Sequence, residues 1–199
     1  CQSAICIEIA LTTGFIFNPQ FVNREDLLSW GAILDPKFEN RILMKDAFRD
    51  VYGPILVSLK QKEIESGEIT MDELMYDASD ESIALVENFL KRAKPLVAGW
   101  EADFGKEMMT KEKAILNLTW SGDAVWAIDE AAEVDVELDY MVPKEGSIVW
   151  FDGWVIPKYA KNTKAAAYFI NFMCKPENAI RNMDYIGYVS VIGAPEVLE

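Results

Sequence analysis

"AILNLTWSGDAVWAIDEAAE", residues 114–133, decides the fold. Its first seven residues are mostly apolar and make a run of strand length, and from Ser121 onward the apolar residues recur at helical spacing. A strand that passes directly into a helix is the repeating unit of α/β proteins. Ser121 or Asp123 is the expected cap of that helix, because either side chain can accept a hydrogen bond from its free first-turn amides.

Outward from this stretch the alternation continues. Upstream, "AICIEIALTTGFIFN" reads as a strand that ends at the turn Asn18-Pro19. "NREDLLSWGAILDPKF" reads as a short helix with Asn23 as N-cap, followed by a loop. "RILM" (41–44) is a short strand, and Asp46 opens a helix to about Leu59 with Ala47, Val51, Ile55 and Leu59 along one face. The polar stretch 60–80 reads as a surface connection. A helix follows from Asp80 or Ser82 to Ala93, where Pro95 stops it, and "DFGKEMMTKEK" gives a short one. Downstream, "VELDYMVPKEGSIVWFDGWVIP" gives two strands separated by the turn Pro143–Gly146. "NTKAAAYFINFMCK" is an amphipathic helix capped at Asn162 or Thr163. "PENAIRNMDYIG" is another, with Pro176 in its first turn and Gly187 as its stop. The whole predicts an α/β fold with a mostly parallel sheet.

The 199 residues suffice for one large domain or two small ones, and 51% hydrophobic with 26% charged residues excludes a mostly disordered chain. A net charge of −14 repels nucleic acid and anionic lipid and attracts cations, so no nucleic-acid partner is expected. There is no histidine, which removes a serine–histidine–acid triad and the commonest transition-metal ligand. Cys1, Cys6 and Cys174 form no CxxC pair, which argues against a structural zinc site or a redox dithiol, and Cys6 and Cys174 read as small core residues. Cys1 is read as the point where the sequence starts, with a lipidated N-terminus as the alternative. No apolar run is long enough to span a bilayer, and no signal peptide is legible. The sequon Asn117-Leu118-Thr119 falls inside a predicted strand and is discounted. No metal or cofactor is called for.

In open α/β sheets, ligands bind outside the carboxyl ends of the strands. Trp120 lies at one such end. Asp46 and Asp50 lie in the first turns of the helix after "RILM", spaced to share a face. In "SIVWFDGWVIP" (147–157), a strand puts Trp150, Asp152 and Trp154 on one face with Ile148 and Ile156. Each has an ordinary structural reading: first-turn acids stabilise a helix, and most tryptophans are core. That reading is weakest for Asp152, because a buried acid without a partner costs several kcal/mol. Either a lysine of this chain or a ligand must satisfy it. A cationic ligand fits the set. An ammonium about 4 Å from a carboxylate gains roughly 4 kcal/mol at an effective dielectric of about 20, before desolvation is charged against it. An indole face adds about 0.5–2 kcal/mol. A flexible diamine or triamine uses acids at its ends and indoles along its methylenes, whereas an inorganic cation wants clustered oxygens, and no EF-hand-like loop is present.

"WSGDA" (120–124), "VPKEGSIVWFDGWVIPKYAKNTKAAAYFINFM" (142–173), "IGYVS" (186–190) and "SWGAILDPKFENRILMKDAFRDVYG" (29–53) resemble the spermidine/putrescine-binding proteins of polyamine ABC transporters. The likeness runs from about residue 12 to about residue 195, and the run from Pro143 to Pro157 is its most specific part. The resemblance implies one lobe of a type II periplasmic binding protein, an α/β lobe with a mixed, mostly parallel sheet, plus a crossover segment. It implies a polyamine held between lobes, by Trp120 lining the cleft, Trp150 stacking, Asp152 binding an amine, Tyr188 as a further aromatic wall and Asp50 as an acid on the helix after "RILM". The family's second acid on that helix falls on Ala47, which leaves the choice among polyamines open.

The same resemblance implies that the chain lacks most of the first lobe. Residues 1–150 would be the second lobe, 151–194 a crossover segment and 195–199 a C-terminal stub. The expected partner is an ABC permease, and the expected location is periplasmic or extracytoplasmic, with lipid anchoring or fusion to the permease both open. A second copy of the chain is one cover for the apolar face of "AAAYFINFM". No catalytic activity is expected. The competing readings are a carboxylate-pair enzyme such as a glycoside hydrolase, with Asp50 and Asp152 as acid and base, a binding protein for a sugar, iron or another cation, and a structural domain whose aromatics are all core.

Overall fold

A computed structural model describes the backbone of residues 5–198 and the side chains of residues 10–195 and 197. The reading of Cys6 as a core side chain, and any role for Cys1, lie outside the described residues. In chain order the elements are β1 (Ile5–Phe17), β2 (Ile42–Lys45), α1 (Phe48–Leu59), α2 (Gln61–Ser66), α3 (Met71–Met75), α4 (Asp80–Ala93), β3 (Val97–Glu101), α5 (Gly105–Thr110), β4 (Leu116–Trp120), α6 (Ser121–Ala132), β5 (Asp139–Met141), β6 (Val149–Val155), α7 (Thr163–Met173), α8 (Pro176–Ile186), β7 (Val189–Ser190) and α9 (Pro195–Leu198). They fall into two units, Thr13–Ile148 and Cys1–Thr12 with Val149–Glu199.

In the unit Thr13–Ile148 the strand order is β3-β2-β4-β1-β5. β2 is parallel to β3 and β4, and β1 is antiparallel to β4 and β5. Four strands therefore run one way and β1 alone runs against them, the mixed and mostly co-directional sheet that the alternation of strands and helices predicts. Both faces are covered. Phe15, Phe17, Ile42, Met44, Leu116 and Leu118 face a core with Trp30, Ile33, Ile55, Leu56 and Phe89. Ile16 and Leu43, one residue out of step, face Ala124, Ala127 and Ala131 of α6 and Met109 of α5. That double burial explains why these strands read as continuous apolar runs.

Local structure departs from the sequence reading in several places. Residues 60–80 are not a simple connection but contain α2 and α3. Gly67, at φ 75°, ends the first of these. Thr70 starts the second with its hydroxyl on the Glu73 amide, while its own backbone N–H donates to the Glu73 carboxylate at 2.8 Å. Residues 24–38 form three short 3₁₀ turns instead of one helix and a loop, because Ser29 and Asp35 each accept from an amide two residues on and restart the chain. Asn23 does stand at the cap of the first. Asp46 does not open α1: Ala47 occupies the cap position, and the Asp46 N–H donates to the Glu101 carbonyl. Asp46 and Asp50 therefore do not share a helical face. α6 begins at Ser121 with Trp120 in the cap position, so neither Ser121 nor Asp123 is its cap.

In the other unit, β6 pairs antiparallel with residues 5–12 of β1, and β7 pairs with Ile9 and Ala10. α8 has Pro176 in its first turn and stops at Gly187, at φ 74°. α7 contains no buried residue, and Tyr168, Phe169 and Phe172 are exposed along it. Cys174 is half-buried, not a core residue, because α7 ends where little packs over it.

Candidate ligand-binding site

Three co-directional strands end side by side in the unit Thr13–Ile148: β2 at Lys45, β3 at Glu101 and β4 at Trp120. The site is built there. Lys45 is buried, and its Nζ lies 3.0 Å from Glu101 Oε1 and 3.1 Å from Asp123 Oδ2, while donating to the Ala102 carbonyl at 2.9 Å. Glu101 also accepts from the Gly105 N–H at 3.0 Å and from Asn117 Nδ2 at 3.3 Å. Lys106 Nζ reaches Asp123 Oδ1 at 3.4 Å. Every member of the cluster is thus paired, as burial of charge demands. Gly105 is required for this: a Cβ there would overlap the Glu101 carboxylate and the Asn117 amide.

Above the cluster stands Trp120, half-buried, with the Lys45 Nζ 4.1 Å from its ring centroid. Its Nε1 is buried and lacks a hydrogen bond of ordinary geometry. Asp50, in the first turn of α1, is the carboxylate beside it. Burial pushes the Asp50 carboxyl above its usual range, and the Trp120 N–H and the Lys45 charge pull it partly back. Asp50 has no ion pair among the described residues. The two acids deeper in the site are neutralised by lysines, whereas this one, at the surface beside an indole, is not. Two open hollows lie elsewhere in the unit, one lined by Lys60, Glu63, Glu68, Glu73 and Asp77, the other by Phe48, Tyr52, Ile83, Leu90 and Trp100; neither includes Asp50 or Trp120.

The other predicted residues belong to the second unit. β6 is a regular strand in which Leu11 pairs with Trp150, Ile9 with Asp152 and Cys6 with Trp154, so the three side chains do alternate onto one face. β7 flanks β1 on the other edge, with Ile9 opposite Ser190 and Ala10 opposite Val189. Tyr188 directly precedes β7, outside the paired residues. The structure therefore brings Trp150 and Asp152 to neighbouring rows of one small sheet, leaves Tyr188 one residue before β7, and separately brings Asp50 to Trp120. One expectation is corrected: Asp152 is exposed, as are Val149, Phe151 and Val155. Asp152 itself is exposed, so its carboxylate is hydrated and carries no burial cost of its own. Trp154 packs edge-on against Phe169 at 5.2 Å and keeps 37% of its surface.

Sequence reasoning missed Lys45, Glu101 and Lys106 altogether and read Asp123 as a cap. The available signal was a charged residue directly after each of two short apolar runs, "ILM" and "VAGW", but it acquires meaning only once β3 is recognised as a strand beside β2.

A family model described as bacterial extracellular solute-binding protein matches residues 2–195. A spermidine/putrescine-binding periplasmic protein of Escherichia coli K12 is 29% identical over 171 residues, which cover 86% of this chain and 44% of that protein. A structure assigned to a spermidine/putrescine ABC transporter of Listeria monocytogenes superposes with a TM-score of 0.78 at 34% identity, over 92% of this chain and 51% of that one. A spermidine/putrescine ABC transporter substrate-binding protein of Streptococcus pneumoniae gives 0.71 at 29% identity, over 94% and 52%. The chain spans less than half the length of the curated relative and about half of each solved chain.

Proposed function

Since the chain belongs to the bacterial extracellular solute-binding proteins, we propose that it is the ligand-binding half of a polyamine receptor that delivers putrescine or spermidine to an ABC permease. The observation that carries this reading is the unpaired Asp50 carboxylate beside Trp120 at the ends of β2 and β4. An ammonium placed there is drawn to an acid that has no ion pair among the described residues, and the adjoining methylenes lie on the indole. At this half-buried position such a charge-assisted contact is worth about 1.5–3 kcal/mol net. Within the other unit, β6 carries the same kinds of group, the Asp152 carboxylate between Trp150 and Trp154 along one strand. The names of the relatives support polyamines over other cations.

On this reading the unit Thr13–Ile148 belongs to one lobe, and residues 1–12 with 149–199 belong to the segment that crosses to the other lobe, a division that differs from the sequence-based boundary at 150 because the first half of β1 pairs with β6 and β7. The exposed apolar face of α7 is covered by that lobe, or by a second copy of the chain when it is alone. The protein works outside the cytoplasmic membrane, tethered there by a lipid or by its permease. Binding shifts an equilibrium between open and closed lobes and involves no catalytic step.

The test is calorimetric titration of the chain and of its Asp50→Asn variant with putrescine, spermidine and a disaccharide. Half a cleft supplies half the contacts, so the expected dissociation constant is on the order of 1 mM for a polyamine. Loss of the charged partner weakens it about tenfold or more. Binding of the disaccharide in preference to both polyamines, or an unchanged affinity in the Asn variant, refutes the reading.

A further inference from the structure

We propose that Glu145 is a positioning residue: by anchoring the turn before β6 it fixes where that strand begins, and with it the placement of Trp150 and Asp152 along β1. The pairing of β1 shows why an anchor is needed. Phe15 stands opposite Met141 of β5, and Thr12 stands opposite Val149 of β6. Three steps along β1 thus answer to eight along the returning chain, and the connection 142–148 must hold the surplus of five residues. Packing does little to choose the alignment of β6 itself, since every residue of the strand except Trp150 is exposed. The choice falls to the connection.

Glu145 sits in the middle of it. Its Oε1 accepts from the Ser29 hydroxyl at 2.6 Å and the Ser58 hydroxyl at 3.0 Å, and its Oε2 accepts from the Trp30 N–H at 2.8 Å. All three donors are neutral, and the carboxylate has no ion pair among the described residues. The donors stand on firm ground: Trp30 is buried, and its ring meets that of Phe15 at 4.8 Å. The residues beside Glu145 are tied down as well. The Lys144 N–H donates to the Leu28 carbonyl at 3.1 Å, the Trp30 indole N–H to the Gly146 carbonyl at 2.9 Å, and the Ser147 hydroxyl to the Thr13 carbonyl at 2.6 Å. Ile148 lies so close to α1 that a Cβ on Gly53 would come within 2.9 Å of its Cγ2. Only Glu145 gathers two distant segments, residues 29–30 and Ser58, onto one side chain of the connection. Its charge strengthens each bond, and an amide in its place would turn an NH2 toward one of the donors. This deepens the proposed function and rests on it for what Trp150 and Asp152 bind.

The experiment reads the strand and not the ligand, so its failure leaves the result of the titration above standing. Amide hydrogen exchange is measured by NMR for the chain and its Glu145→Ala variant. The quantity of interest is the rate increase across residues 149–155, divided by the increase across 42–45 and 116–120. The expected ratio is about tenfold or more, the size of change that follows from losing a charge-assisted anchor at one end of a strand. A carboxylate that merely stabilises the protein would speed exchange of β2, β4 and β6 by one common factor. A common factor, no change at 149–155, or a rise confined to 143–148 overturns the proposal. Where the Ala variant does not fold by circular dichroism, Glu145→Gln carries the same comparison. It keeps one acceptor oxygen, and the expected ratio is then roughly threefold.

Discussion

Replacing Lys45 by methionine alone should destabilise the protein far more than the loss of one ion pair suggests. The substitution keeps most of the side-chain volume but strands Glu101, whose side chain is 0% exposed. The Gly105 N–H at 3.0 Å and the Asn117 amide at 3.3 Å remain, yet neither cancels a full negative charge. Asp123 keeps Lys106 at 3.4 Å and is 11% exposed, so its loss is smaller. Breaking a buried pair from one side costs about 3–5 kcal/mol, which is a third or more of the stability of an ordinary domain at about 5–15 kcal/mol. Adding Glu101→Gln removes the stranded charge; its oxygen keeps the bond from the Gly105 N–H, and its NH2 donates to the Asn117 Oδ1 once that amide flips, so most of that loss should return. Urea unfolding of the four members of this cycle, followed by circular dichroism, measures the coupling directly. A Lys45→Met loss below about 1 kcal/mol, or a double variant no more stable than Lys45→Met, would refute the claim that the charge is uncompensated without its partner.

Asp50 makes a pH prediction with the opposite sign from the usual acid. Burial raises its carboxyl above 3.8, so the folded state binds its proton more tightly than the unfolded state does. Its ionisation therefore opposes folding: stability falls as pH rises from about 3.8 through the raised value, and this component is absent in Asp50→Asn. Thermal melts across that interval should show the Asn variant melting higher at neutral pH and with a smaller pH slope; an unchanged slope would sink the idea. Gly105→Ala, by pushing the Glu101 carboxylate and the Asn117 amide apart, should cost about 3 kcal/mol or more in the same urea assay, and a neutral effect would show that the cluster can shift without loss.

Much of the fold was legible because it rests on local signals. The passage from strand to helix at Trp120-Ser121, the stop of α4 before Pro95, the turn at Pro143–Gly146 and the bounds of α8 at Pro176 and Gly187 each follow from one or two residues with restricted backbone chemistry. β3 was not legible, because "VAGWE" is five residues long, contains a glycine and gains its strand character from pairing with β2. α2 and α3 were hidden by their polarity; a cap and a left-handed glycine, not an apolar face, define them. The site divides in the same way. The placement of Trp120 and Asp50 was legible because each sits at a recognisable strand end or helix start. The Lys45 cluster was invisible because its members come from β2, β3, α5 and α6 and meet only through the parallel order of the strands. Asp152 was over-read, since alternation along a strand fixes which residues share a face but not whether anything lies against it.

β1 is a single unbroken strand whose residues up to Thr12 pair in one unit and whose residues from Thr13 pair in the other. One residue inserted there must either be extruded as a bulge or slide a whole ladder by one step, which would turn Trp150 and Asp152 to the opposite side. The alignment of aromatic and acidic groups along β6 thus depends on the residue count in the backbone of its neighbour, and a ladder slid by one would undo it without altering any side chain, whereas a bulge such as the irregularity already present between Ile7 and Ile9 would preserve it.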